Sequence, residues 1–300
     1  MRAFIRIVPI ITAAVLLPVG SLPGAAEPAG DGESTRAGWY LSAGVGAGRG
    51  SNLNQEGWNQ DAFCYPDAAC FDQAPTPGVP GYRWRYDIGL DSGAGIDLSA
   101  GRFFGRARLE LTAAQKKNGV SQMFSGIAYS DGTAIQPRPG GAVASHARGF
   151  IDDMRIRSVS LDGYYDFPGA WGRISPYIGA GLGLALVEIA GAHFSTDYRD
   201  TSGAGPPYDP PLSFYNSVQN ADFDDTVSIW RLHAGADYAL SDRASLGLKL
   251  SRSATGDFES TDGYDSHPMH AQDPGFTGTN TFSGARTWTL TLTVRRRLGG

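Results

Sequence analysis

An all-β fold, a transmembrane antiparallel up-and-down β-barrel of eight strands, is predicted by three features of the sequence. Apolar residues recur at every second position in eight segments. The connections between those segments alternate between very short and very long. The chain also opens with the pattern of an export signal.

The export signal comes first in the chain. Arg2 and Arg6 stand at the start of an apolar run from Ile7 to Val19, and the small residues Gly24, Ala25 and Ala26 follow. The run is interrupted by Pro9 and Pro18 and is shorter than the about 20 apolar residues that a membrane helix needs. We therefore expect residues 1–26 to be a cleaved signal peptide, 27–36 a short N-terminal periplasmic segment and 37–300 the barrel domain. Beyond residue 26 no window of helix-spanning length is free of charge, which excludes a helical membrane protein.

Composition agrees with strands. The chain has 41 Gly, 13 Tyr, 14 Phe and 6 Trp with 18% charged residues, and that much Gly disfavours a large helical domain. The formal charge is −5, two units more negative without Arg2 and Arg6, and the remaining Arg and Lys are scattered. Nucleic acid is not expected as a partner. Cys64 and Cys70 are the two thiols. In an exported chain such a pair is expected to close a disulfide that restrains a loop, and the absence of His between Gln55 and Tyr82 argues against a metal there.

The first strand is expected near Trp39 to Ala47, with Trp39, Leu41, Ala43, Val45 and Ala47 opposing Tyr40, Ser42, Gly44 and Gly46. The second runs from about Tyr86 to Gly101. The third, Arg106 to Ala114, places Ala107, Leu109, Leu111 and Ala113 on one face. Then come 155–166, 174–189, 226–239 and 244–252, each with an apolar face against Gly, Ser or charge. The last, TWTLTLTV at 287–294, sets Trp288, Leu290, Leu292 and Val294 against four threonines.

Connections at 102–105, 167–173 and 240–243 are short, whereas those at 50–82, 115–152, 191–223 and 254–283 are each thirty residues or more. Long loops at alternate positions all emerge at one end of a sheet, as in outer-membrane barrels with short periplasmic turns and long extracellular loops. A lipid-exposed edge would leave N–H and C=O groups unsatisfied, so the first strand must meet the last. Segments near Ala142 to Phe150 or Leu212 to Val218 would make a ten-stranded ring if they formed an extra hairpin. Aromatic girdles are expected from Trp39, Tyr40, Phe103, Phe104, Tyr164, Tyr165, Phe167, Trp171, Tyr177 and Tyr238 near the short turns, and from Trp84, Tyr86, Phe223 and Trp230 near the long loops.

The segments SVSLDGYYDFP (158–168), ISPYIGAGLGLALV (174–187) and IWRLHAGADYALSDRASLGLKLS (229–251), with the opening GWYLSAGVGAG (38–48), resemble the eight-stranded outer-membrane β-barrel family. That family comprises opacity-type and other surface antigens and small porin-like proteins of Gram-negative bacteria. The resemblance covers the strands and none of the long loops. It implies a place and a shape, the outer membrane and a barrel, with surface-antigen, adhesin or structural roles. One departure is the end, VRRRLGG: Leu298 stands where the family has an aromatic residue, and Arg295, Arg296 and Arg297 are expected at the periplasmic rim beside lipid head groups.

The alternation aims Asp87, Asp91, Asp97, Arg108, Glu110, Arg157, Asp162, Asp166, Arg231, Asp237 and Lys249 into the lumen. The expected charge network there is Asp97, Arg108, Glu110, Asp162, Asp166, Arg231, Asp237 and Lys249, since buried charges must pair. A paired-carboxylate catalytic site is the sharper alternative. Eight strands enclose a lumen that side chains fill, whereas open porins use about sixteen. Gly179, Gly181 and Gly183 leave local space, so a narrow porin-like channel is the alternative function.

A second alternative, a lipid-A-modifying barrel enzyme, rests on the triplet His193, Phe194 and Ser195. His267 and His270 with Asp262, Asp265 and Asp273, and the acidic run Asp222, Asp224 and Asp225, read as solvated loop residues rather than metal or Ca²⁺ sites. The expected role is structural or surface-interacting through the long loops, without catalysis, cofactor or metal. Its expected partners are outer-membrane lipid, lipopolysaccharide and a protein bound by those loops; the oligomeric state is left open.

Overall fold

The alternating segments fold into twelve strands: β1 (Ala37–Gly50), β2 (Leu53–Asn59), β3 (Tyr82–Phe104), β4 (Ala107–Tyr129), β5 (Val143–Phe150), β6 (Asp153–Asp166), β7 (Ile174–Asp200), β8 (Ser217–Ala239), β9 (Ala244–Thr255), β10 (Phe258–Gly263), β11 (Thr277–Phe282) and β12 (Arg286–Leu298). The structure, a computed structural model, describes residues 37–59, 82–129, 131–132, 143–200, 217–263 and 277–298. All of these lie in one compact unit, Thr35–Gly300. The expected signal peptide and periplasmic segment lie outside the described residues, as do Cys64 and Cys70.

Closure is visible in the register. β1 pairs with β12 from Trp39↔Leu298 to Gly50↔Thr287, and on its other side with β3 from Ala37↔Phe104 to Arg49↔Ser92. From β3 the antiparallel ladder continues through β4, β6, β7, β8 and β9 to β12. Eight strands thus form a ring without an open edge, the arrangement that lipid demands of backbone polar groups.

The turn end of the ring is tight. Phe104 and Ala107 pair directly across Gly105 and Arg106, and Gly105 has φ +67°, the left-handed conformation that a two-residue hairpin requires. The other two turns span 167–173 and 240–243, as expected.

The loop end differs from the expectation. β4 continues to Tyr129, β7 to Asp200, and β8 begins at Ser217, so the second and third connections shrink to 130–152 and 201–216. Cross-strand pairing persists beyond the apolar alternation that marked the strands, because backbone hydrogen bonds do not need it. The ring also remains eight-stranded. Residues 143–150 form β5, which pairs with the distal part of β7 off the ring path, while 217 and 218 belong to β8. β2 pairs with the loop-end half of β3, and β11 and then β10 continue the sheet from it.

β3 contains an irregularity. Its register with β4 shifts between Leu90 and Gly93, and the alternation changes phase there. Above the shift Tyr86, Ile88 and Leu90 are buried; below it Ser99, Gly101 and Phe103 take the inner face. Asp87 and Asp91, expected in the lumen, therefore fall elsewhere: Asp91 is exposed, and Asp87 lies on the face opposite Tyr86 and Ile88.

Candidate functional site

The interior of the ring is the candidate site, and it is built in two layers. In the half nearer the turns, the outward positions carry Leu41, Val45, Ile96, Leu98, Leu109, Leu111, Val159, Leu161, Leu182, Leu184, Leu232, Leu248, Leu290 and Leu292, all exposed. With lipid taking that face, every second residue turns its polarity inward.

The structure brings the expected lumen residues together. Arg108 lies 3.4 Å from Asp166 and 3.6 Å from Asp237, with its guanidinium between the rings of Tyr164 and Tyr177 at 4.3 and 4.4 Å. Asp162 lies 4.0 Å from Arg231 and accepts a hydrogen bond from Ser160. Lys249 pairs with Asp97 at 3.1 Å, and Glu110 accepts the Tyr40 hydroxyl at 2.8 Å. Among the described residues five basic side chains (Arg108, Lys116, Arg231, Lys249, Arg295) face five carboxylates (Asp97, Glu110, Asp162, Asp166, Asp237), a balance of formal charge. Buried charges that compensate one another offset the desolvation each suffers.

Three of these partners were not expected. Arg295 is buried in the lumen and paired with Asp237 rather than set at the rim with Arg296. Lys116 donates to Ser253 Oγ at 3.1 Å and Thr287 Oγ1 at 3.2 Å. His233 bridges Ser251 Oγ at 2.9 Å and Asp162 Oδ1 at 3.3 Å. Strand parity already pointed all three inward: Lys116 is in phase with Glu110, His233 with Arg231, and Arg295 with the four threonines of β12.

Parity also divides the aromatic pairs that were expected in one girdle. Trp39, Phe104 and Tyr165 are exposed, while their neighbours Tyr40, Phe103 and Tyr164 are buried in the lumen with Tyr177. Tyr86 and Phe223 are likewise buried, and Trp288 joins Trp230 outside. Arg157, expected inside, is on the outer wall, 3.1 Å from Glu188.

The space above Gly179 and Gly181 is occupied. A Cβ at Gly179 would strike the Tyr164 ring, and one at Gly181 the Asp162 carboxylate. These glycines exist because neighbouring side chains cross the space above them.

The second layer lies nearer the loops and is apolar. Leu53, Ile88, Leu90, Met154, Ile156, Val187, Ile189, Phe223, Ile229, Phe258 and Phe282 form one buried cluster. Phe258 and Phe282 stack at 4.5 Å and 7°, and Phe223 meets Phe282 at 5.4 Å. The wall around this layer is polar, with Lys117–Asp153 at 2.8 Å and Arg157–Glu188 at 3.1 Å. The sequence reading missed this layer. Its signal was a change along single strands, such as Gly179, Gly181, Gly183 giving way to Ala185, Val187, Ile189 in one phase.

Ser251, His233 and Asp162 have the residue types of a nucleophilic triad, but all three are buried. Ser251 meets Nδ1 and Asp162 meets Nε2, the reverse of the usual arrangement, and the carboxylate is also shared with Arg231 and Ser160. The line ties three strands together. His193 and Ser195 sit on the distal part of β7, in register with Phe150 and Arg148 of β5.

Asp222 accepts the Gly191 N–H at 2.9 Å, and Asp225 the N–H groups of Thr226 and Glu259, so these carboxylates cap backbone. Among the described residues no group of three His, Cys, Asp or Glu is placed to hold a metal. His267, His270, Asp265 and Asp273 lie outside them, and Asp262 is on β10.

No curated protein matches the chain. Among solved structures it is similar to Neisserial surface protein A at 14% identity, covering 87% of this chain and 97% of that one with a TM-score of 0.43. It is similar to the outer membrane protein OprG from Pseudomonas aeruginosa at 12% identity, covering 89% and 99% with a TM-score of 0.42. The attachment invasion locus protein Ail of Yersinia pestis, solved with the heparin analogue sucrose octasulfate, follows at 10%, 86% and 99%, with a TM-score of 0.27. Residues 12–271 match the outer membrane protein β-barrel domain, and with the closed ring of eight strands this places the chain in that family of Gram-negative outer-membrane barrels.

Proposed function

We propose that the protein is a sealed structural barrel of the outer membrane whose dealings with its surroundings run through the loop end, facing outside the cell. The observation that carries this reading is the doubly filled interior. A polar layer of balanced formal charge leaves no net charge to select an ion, and an apolar layer above it offers a permeating ion no ligands. Recognition then falls to the segments that project beyond the ring, where β2, β5, β10 and β11 build a rim around four connections. Outer-membrane lipid and lipopolysaccharide surround the wall, and a protein partner would meet the rim. The buried Ser251–His233–Asp162 line argues for scaffolding over catalysis, since substrate cannot reach a hydroxyl beneath the apolar layer.

Planar-bilayer recording of the purified protein tests the seal. The expected result is a silent bilayer; reproducible stepwise conductance would overturn the reading in favour of a narrow porin-like channel. A cell-surface binding screen with deletions in 60–81, 133–142, 201–216 and 264–276 is expected to map binding to those segments. Mass spectrometry of lipid A with and without the protein is expected to show no lost acyl chain.

A further inference from the structure

The outer wall at the boundary between the two layers is unevenly charged. Around β4, β6 and β7 its cations are neutralised: Lys117 by Asp153, Arg155 by the same carboxylate at 3.9 Å, and Arg157 by Glu188. Around β9, β12 and β1 they are not. Trp288, exposed on β12, stands in register with Arg49 of β1 on one side and Arg252 of β9 on the other, and Arg286 is the next outward residue above it. All three arginines are exposed, and among the described residues none of them forms an ion pair.

The Arg252 guanidinium lies 5.5 Å from the centre of the Trp288 ring, which fixes it against the wall instead of leaving it to swing into water. Adjacent strands are about 4.8 Å apart, so the backbones of Arg49 and Arg252 flank Trp288 at about 10 Å, a span that two arginine side chains can close on one tetrahedral anion. Directly below, Leu290 and Leu250 continue the same columns as exposed apolar wall. The sector therefore presents guanidinium donors at the lipid–water boundary over a face made for acyl chains.

We propose that Arg49, Arg252 and Arg286, arranged around Trp288, form a binding site for the phosphate-bearing head group of an outer-leaflet glycolipid, the lipid A part of lipopolysaccharide, whose acyl chains lie along Leu290 and Leu250. This rests on the reading that the loop end faces outward, because only that leaflet offers a phosphorylated glycolipid. Arginine suits the task through its forked donors and its weak hydration, and phosphate accepts charge-assisted hydrogen bonds from both sides at once.

Native mass spectrometry of the refolded full chain released from detergent tests the site, with bis-phosphorylated lipid A, its dephosphorylated form and phosphatidylglycerol as probes. The wild type is expected to retain the bis-phosphorylated form selectively. R49Q/R252Q/R286Q should lower that retention about tenfold through loss of charge-assisted bonds, whereas R155Q/R157Q should leave it unchanged. Equal retention by the triple variant, or of dephosphorylated lipid A, would overturn the proposal. Equal retention of phosphatidylglycerol would do so too, by reducing the site to a general anionic surface.

Heat-modifiable migration on gels reports whether each variant is folded. Should the triple variant fail to fold, R252Q alone carries the test, with a smaller loss of retention expected and no loss overturning the proposal. A bilayer that conducts would break the sealed-barrel reading and leave this site standing, so the two fail separately.

Discussion

β6 carries both regions of the molecule on one strand. From Ser158 to Asp166 its inward residues are Ser158, Ser160, Asp162, Tyr164 and Asp166, and its outward ones include Val159, Leu161 and Tyr165. From Asp153 to Arg157 the faces exchange character, with Met154 and Ile156 inside and Asp153, Arg155 and Arg157 outside. The solvent outside makes the difference. Where lipid wets the wall, apolar residues belong on it, and polar groups are confined to the lumen, where they must satisfy one another. Where water wets the wall, the strand behaves as in a soluble barrel and buries its apolar face. The lower layer is thus held by pairing and the upper by burial, and they should fail differently.

The largest effect is expected from Asp237→Ala, which takes from Arg295 its carboxylate partner in the lumen and leaves Arg108 with Asp166 alone. Removing one partner of a buried pair costs about 3–5 kcal/mol, to be read as a lower urea midpoint in detergent micelles. The comparison sharpens with Asp97 and Lys249: Asp97→Leu alone should destabilise, whereas D97L/K249M, which removes both charges, should recover most of the loss.

In the upper layer Phe282→Ala removes a ring stacked on Phe258 and should cost about 3 kcal/mol. That loss should appear as faster proteolysis of the projecting segments with the ring intact and the bilayer still silent, because the polar layer seals independently. Conductance from this variant would break the distinction between the layers. Gly181→Ala, driven against the Asp162 carboxylate, should cost about 1–3 kcal/mol by overpacking, again in the urea midpoint.

The smallest effect concerns the rim. The hydrogen bond from Arg83, with a second from Arg85, holds the Glu56 carboxyl below the usual carboxylate range. A depressed native value means that the pair's contribution is present above the ordinary value of about 4.3 and is lost as pH falls through the native one. With Arg83 about half exposed, screening keeps it well under 1 kcal/mol. Glu56→Gln should thus raise proteolytic sensitivity of the rim slightly at neutral pH, and the difference from wild type should vanish in acid.

Much of the lower layer was legible because strand parity is a local property: Asp97, Arg108, Glu110, Asp162, Asp166, Arg231, Asp237 and Lys249 all point where alternation sends them. Parity failed at Asp87 and Asp91, where the shift between Leu90 and Gly93 reversed the phase without a residue type that announces it. At Tyr40, Tyr164 and Arg295 nearness to a turn suggests the rim, but alternation sends all three inward, where they are buried. The upper layer was not legible in this way. An alternation with apolar residues on one face reads the same whether that face meets lipid or a core, and only the far side of the ring decides which.

What the sequence determined by itself was the set of eight alternating segments and their short turns, and hence the closed ring, because period, spacing and the cost of a bare edge in lipid are set by chain order. Tertiary structure decided which carboxylate meets which guanidinium, which aromatic ring fills which glycine's space, and where the strands turn from lipid-facing to water-facing. Those depend on residues far apart in the chain, such as Tyr40 and Glu110 or Asp97 and Lys249, that meet only once the register around the ring is fixed.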